Sequence, residues 1–115
     1  MNINEVTYAA GTPVEGYGDG YWRIGGRRWP GAVLVLPTGP VEWDGGAHAI
    51  VAAAERFDVL LLGTGAEIAR VDPALREPLE AAGVGIEAMA SAQAARTYNV
   101  LLGEGRRVAC ALMPI

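Results

Sequence analysis

Apolar residues fall in short blocks along this chain, and the spacing inside each block predicts its element. "AVLVL", residues 32 to 36, and "VLLL", residues 59 to 62, are apolar at successive positions, as in strands buried on both faces. "VGIEAM", residues 84 to 89, reads as another strand, and "RVACAL", residues 107 to 112, as the last. Between them the period lengthens. In "AHAIVAAAERF", residues 47 to 57, Ala49, Ile50, Ala53 and Phe57 fall on one helical stripe. A second helix starts at Asp72, a cap, with Pro73 in its first turn, and closes at Gly83. A third is capped by Ser91 and runs to about Gly103, with Ala94, Ala95, Tyr98, Leu101 and Leu102 on its apolar face. Near the N-terminus, Tyr21–Ile24 and Arg27–Trp29 flank Gly25-Gly26. A two-residue turn needing positive φ at both positions makes these a hairpin. Gly16, Gly18 and Gly20 ahead of it read as loop and strand entry, and Pro37-Thr38-Gly39-Pro40 as the end of the strand before it. After the hairpin the order is β-α-β-α-β-α-β, which indicates a layered α/β fold with a sheet inside.

The chain has 115 residues, 51% of them hydrophobic, enough for one core, so residues 1–115 are expected to form a single domain. No apolar run exceeds six residues, far below the roughly 20 that cross a bilayer. The opening "MNINEVTYAA" has neither the layout of a signal peptide nor that of a transit peptide, so a cytoplasmic protein is expected. All nine positive charges are arginine, set against 13 acids for a net charge of −4, which gives no general attraction to nucleic acid. Cys110 is the single cysteine and His48 the single histidine. One thiol makes neither an internal disulfide nor a cysteine metal cage, and no metal site is expected. Cys110 lies in an alternating strand and is read as a buried, inert thiol, and His48 as a surface residue.

Gly63-Thr64-Gly65 follows a buried strand, the place where an α/β sheet holds a nucleotide. The residues argue against one. A phosphate loop ends in Gly-Lys-Ser/Thr, and the chain has no lysine. A dinucleotide turn needs a third Gly or Ala where Ile68 stands, and Glu67 adds negative charge. The loop is expected to be a structural turn, with at least one glycine at positive φ and no cofactor. "RTYN", residues 96 to 99, is the more informative stretch. Asparagine is a poor residue within a helix. Asn99 either lies in reach of Arg96 on the helix flank or has a partner across the domain.

The blocks "LLLGTG", "AAGVGIE" and "AARTYNVLLGEGRRVACALMP", preceded by "VEGYGDGYWRIGGRRW", "AVLVLP" and "PVEW", resemble one family. It is the small domain shared by mitochondrial complex I assembly factor 3 and the adipogenesis-associated domain protein. The resemblance spans roughly residues 14 to 115. It implies a three-layer α/β domain around a mixed β-sheet, with an N-terminal β-hairpin element and about three helices. It implies no catalytic residue that transfers here. The mitochondrial member acts through partner proteins, but no organelle-targeting extension is expected here, so a complex I role is not carried over.

Two functions follow. The first is a non-enzymatic protein-binding or assembly module, compatible with self-association, with Tyr21, Trp22 and Trp29 of the hairpin as interface residues. Strand alternation gives the plainer reading, in which Trp22 and Ile24 face the core. The alternative is a small-molecule-binding protein or small enzyme with a pocket at the carboxyl edge of the sheet. Thr64, Ser91, Arg96, Tyr98 and Asn99 would line it, with Arg96 holding an anion in its guanidinium fork.

Overall fold

The computed structural model describes residues 11–115. A three-stranded antiparallel sheet comes first, from β1 (Val14–Gly18), β2 (Tyr21–Ile24) and β3 (Arg27–Pro30). A five-stranded mixed sheet follows, in the order β5-β4-β8-β6-β7. Its strands are β4 (Val33–Leu36), β5 (Gly39–Glu42), β6 (Val59–Gly63), β7 (Gly85–Met89) and β8 (Val108–Leu112). The helices are α1 (His48–Ala52), α2 (Pro73–Ala81) and α3 (Ser91–Gly103), with a 3-10 turn at Ala54–Arg56.

β6, β7 and β8 run parallel, and β4 runs against β8 and β5. From β6 the chain steps to its neighbour β7 through α2. From β7 it steps back over β6 to β8 through α3. Right-handed crossovers taken in opposite directions must lie on opposite faces. The core divides accordingly. Leu34, Leu60, Leu62, Ala109 and Ala111 pack under α1 and α2. Val33, Val35, Leu61, Val108, Cys110 and Leu112 pack under α3 and the small sheet, which contributes Val14, Trp22 and Ile24. The result is three layers around a mixed sheet.

The turn chemistry explains the strand ends. Gly25 and Gly26 both have positive φ, 62° and 77°, as the hairpin requires. Asp72 Oδ1 accepts from the Ala74 amide at 2.9 Å and caps α2. Gly83, at φ 78°, ends that helix while the Val84 amide turns back to the Leu79 carbonyl.

Four local expectations are corrected. Gly16 and Gly18 lie inside a strand, because the Tyr21 ring of β2 crosses over Gly18, where a Cβ would meet it at 2.3 Å. Gly39 and Pro40 open a further strand, β5, which folds back on β4 around Pro37-Thr38, and Pro40 is tolerated there because β5 is a sheet edge. The segment 47–57 is not one helix. It lacks a side-chain cap and narrows to a 3-10 turn after Ala53, leaving Ile50, Ala53 and Phe57 buried and Ala49 outside. Ser91 is not the cap of α3: Ala90 holds that position without a side-chain bond, and the serine is turned towards β6.

Two contacts seat α3. At its start, a Cβ on Gly63 would lie 2.7 Å from Ser91 Cα and 2.6 Å from its Oγ, so only glycine lets the helix sit on the end of β6. Two turns later Asn99 grips β1: its Oδ1 accepts from the Val14 amide and its Nδ2 donates to the Val14 carbonyl, each at 2.8 Å. Gly63→Ala is expected to lower unfolding free energy by about 1–3 kcal/mol through overpacking. Gly65→Ala is expected to lose about 1 kcal/mol because Gly65 has φ 112°. Denaturant titration of both variants checks this. Asn99→Ala is expected to cost about 1–3 kcal/mol and to speed amide exchange at Val14. Asn99→Asp keeps the acceptor and loses the donor. Its carboxyl is therefore easier to protonate when folded, and the penalty grows as pH rises through that group's titration and shrinks in acid.

Candidate functional site

Three parallel strands end together at one edge, since Gly63 stands beside Met89 on one side and Leu112 on the other. The chains leaving β6 and β7 depart for opposite faces here, so a crevice is expected between them, and such a crevice is where α/β sheets bind ligands. In this protein it is stitched shut. The Thr64 amide donates to the Met89 carbonyl at 3.0 Å, and the Ser91 amide to the Gly65 carbonyl at 2.8 Å. The Gly65 amide donates to Ser91 Oγ at 2.8 Å. On the other side the Met113 amide donates to the Gly63 carbonyl at 3.0 Å. Ser91 is fully buried. Thr64 Oγ1 donates to the Glu67 carbonyl at 2.8 Å and accepts from the Ala69 amide at 2.9 Å, which folds the loop onto itself.

A cleft of about 320 Å³ opens beside the closed crevice, between Gly63-Thr64, Gly45-Gly46, Met113 and the segment Ala69–Asp72 that leads into α2. Its outer wall is held by the indole of Trp43, which donates to the Gly46 carbonyl at 2.8 Å. Sequence reasoning missed Arg70, Asp72 and Met113 as cleft residues. The polar pair in the loop before α2 was the available signal. The start of α2 does come to this cleft, later in sequence but adjacent in space. It offers little to an anion. Pro73 has no amide hydrogen, the Ala74 amide is bound by Asp72 Oδ1, and the amides of Leu75 and Arg76 are bound by the Asp72 carbonyl.

The five residues expected to line one pocket are spread over three places. Thr64 borders the cleft, and Ser91 lies behind it. Arg96 and Asn99 border a separate hollow of about 160 Å³ between β1 and α3, together with Glu15 and Tyr17. Asn99 is bound to Val14 across the domain rather than to Arg96. Tyr98 is fully buried under the small sheet, and its hydroxyl donates to the Thr12 carbonyl at 2.9 Å.

On the hairpin, Trp22 is fully buried, so it supports the sheet from beneath, and its Nε1 meets no acceptor among the described residues. Tyr21 and Trp29 are half-buried, each under an arginine. The Arg28 guanidinium lies 4.4 Å above the Tyr21 ring, and that of Arg27 lies 4.3 Å above Trp29. Cys110 is buried in the α3-side core with its thiol 3.9 Å from the Ala94 carbonyl, and burial pushes it far above the ordinary thiol range, which suppresses the reactive thiolate. His48 is exposed at the start of α1. Among the described residues no group of His, Cys, Asp and Glu could hold a metal, and no helix is long and apolar enough to cross a membrane.

The whole chain is 44% identical to an uncharacterised protein of Rhodobacter capsulatus, of which it covers 94%. Over 99% of its length it is 29% identical to the zebrafish NADH dehydrogenase [ubiquinone] 1 alpha subcomplex assembly factor 3, covering 71% of that protein. A crystal structure of a Bordetella parapertussis protein superposes with a TM-score of 0.76 at 40% identity, covering 95% of this chain and all of that one. Residues 14–113 match the model of the proteins of unknown function DUF498/DUF598, and the chain belongs to that family.

Proposed function

We propose that this domain is a non-enzymatic protein-binding or assembly module. One observation carries the proposal: at the strand ends, the polar groups of Thr64, Gly65 and Ser91 are bound to one another and to the neighbouring loop, leaving no reactive group presented to a substrate. Kinship with an assembly factor supports the same function. The outer face of the small sheet is the docking surface. By register Arg23 stands opposite Arg28, and Tyr21 shares their face, so two guanidiniums frame a stacked tyrosine. Tyrosine and arginine are the residue types that dominate interface energetics, and this pair suits an acidic partner. Trp29 is a poorer probe, because its indole also donates to the Ile24 carbonyl at 3.1 Å and holds the hairpin. Tagged protein should therefore be captured from the cytosolic fraction, where the module is proposed to act, beside a Tyr21→Ala/Arg28→Glu variant. We expect a discrete partner whose recovery falls about tenfold in that variant and holds in Arg56→Glu. Equal recovery from all three proteins counts against the surface, and no enriched partner counts against the function.

The cleft supports a second reading, a small-molecule site at the carboxyl edge of the sheet, since its size suits a small ligand. Thr64 borders it, whereas Ser91, Arg96 and Asn99 stand outside its lining. With the first amides of α2 already bound and the Asp72 carboxylate among them, nucleotide phosphates are poorly matched to it. Calorimetric titration with ATP, GTP, NAD and FMN is expected to show no saturable binding up to about 1 mM. A micromolar constant that Arg70→Ala abolishes would establish the second reading instead.

A further inference from the structure

The edge strand of a sheet carries unpaired N–H and C=O groups, and proteins blunt such edges with proline, charge, a bulge or a cover. Among the described residues the two sheets have four edges, β1, β3, β5 and β7. β1 is irregular between Val14 and Gly16 and is held by the Asn99 amide. β3 carries Arg27 and Arg28 and ends in Pro30, and β5 carries Pro40. Among the described residues β7 is the least defended of the four, with a single charge as its one device. Gly85–Met89 pairs with β6 in unbroken register and contains neither proline nor a positive charge. Its one charge, Glu87, stands beside Leu61 and so projects from the α3 side of the sheet.

α2 lies along this edge on the opposite face. Arg76 and Glu80, one helical turn apart, line a hollow of about 360 Å³ together with Val84, Gly85, Ile86 and Ala88 of the β7 segment. Neither charge is in an ion pair: among the described residues the one such pair is Arg107 with Asp58, at 3.9 Å.

We propose that the β7 edge is a self-association surface, where a second copy of this chain adds its own β7 antiparallel about a two-fold axis perpendicular to the sheet. One sheet then runs through both copies, and the unpaired ladder groups of each edge are satisfied by the other. The axis also sets the two α2 helices side by side and reversed. A helix face bearing one positive and one negative charge is complementary to itself in that arrangement, so Arg76 of each copy meets Glu80 of the other. A register centred on Ile86 puts Glu87 opposite Gly85 of the second copy and keeps the carboxylates apart. An extended segment of an unrelated protein would find the same ladder, but nothing would match it to the charges on α2.

Sedimentation of the full chain over a wide concentration range tests this. We expect a concentration-dependent dimer, with the Gly85–Met89 amides gaining protection from exchange as it forms. Arg76→Glu alone, or Glu80→Arg alone, should weaken association about tenfold, and the double variant Arg76→Glu/Glu80→Arg should restore it. Both positions are on the exposed face of α2, and unchanged thermal melts of dilute samples will show that each variant folds. A chain that stays monomeric throughout overturns the proposal. So does a dimer indifferent to the single reversals, or an edge protected only when a different protein is added.

Discussion

The closeness of Gly63 to Ser91 governs much of this architecture. A helix can start directly on the end of a neighbouring strand only if that strand end has no side chain. Here a Cβ would come within 2.7 Å of backbone, a separation that no rotamer change relieves. Because glycine stands there, the first residue of α3 reaches the turn after β6 and exchanges two hydrogen bonds with Gly65. That places α3 across β6 and β8, brings Asn99 over β1, and fixes the small sheet against the α3-side core. The same bonds fill the crevice that the strand topology creates. One packing constraint thus orders a layer of the fold and removes the usual ligand position.

The α3-side core is closed by a polar side chain as well as by apolar burial. A three-stranded sheet with one apolar face must bury that face against another layer. Trp22 and Ile24 supply its burial, while the Asn99 carboxamide satisfies both polar groups of Val14 at an otherwise open edge. An asparagine mid-helix is unfavourable locally. It is retained here because its amide copies the donor and acceptor pair of a strand backbone, so α3 acts as a further strand to β1 at one residue.

The layered fold, the alternation of strands and helices, the cap at Asp72 and the Gly25-Gly26 turn were legible in the sequence because each rests on local chemistry. So was the exceptional standing of Asn99. The elements that escaped notice rest on long-range contacts. Gly16 and Gly18 look like loop residues until β1 is paired with β2 and the Tyr21 ring is laid over Gly18. Ser91 fits a cap by its position in the chain, and only the nearness of Gly65 explains why its hydroxyl turns elsewhere. The candidate pocket scattered for a similar reason. Thr64 follows β6 while Ser91, Arg96 and Asn99 lie along α3, and a helix of 13 residues carries its two ends to different neighbours. The residues that border the cleft come from loops whose meeting is set by the sheet order.

The proposed function assigns binding in this protein to its surfaces rather than to a reactive pocket. Inside, Asn99 is matched with Val14, Ser91 with Gly65 and Tyr98 with Thr12, and among the described residues Trp22 Nε1 is the exception. Outside, the distribution is uneven. Arginines stack on the half-buried rings of Tyr21 and Trp29, which the strand register puts on opposite faces of the small sheet. Three sheet edges carry a proline, a bulge, a clamp or paired arginines. Among the described residues the β7 edge carries one charge, Glu87, and lies beside two unpaired charges of opposite sign on α2. A lightly defended edge is a hazard for a protein that must remain alone, because any extended chain can pair with it. It ceases to be one when the edge is normally occupied, and the alternating charges of α2 restrict which occupant fits.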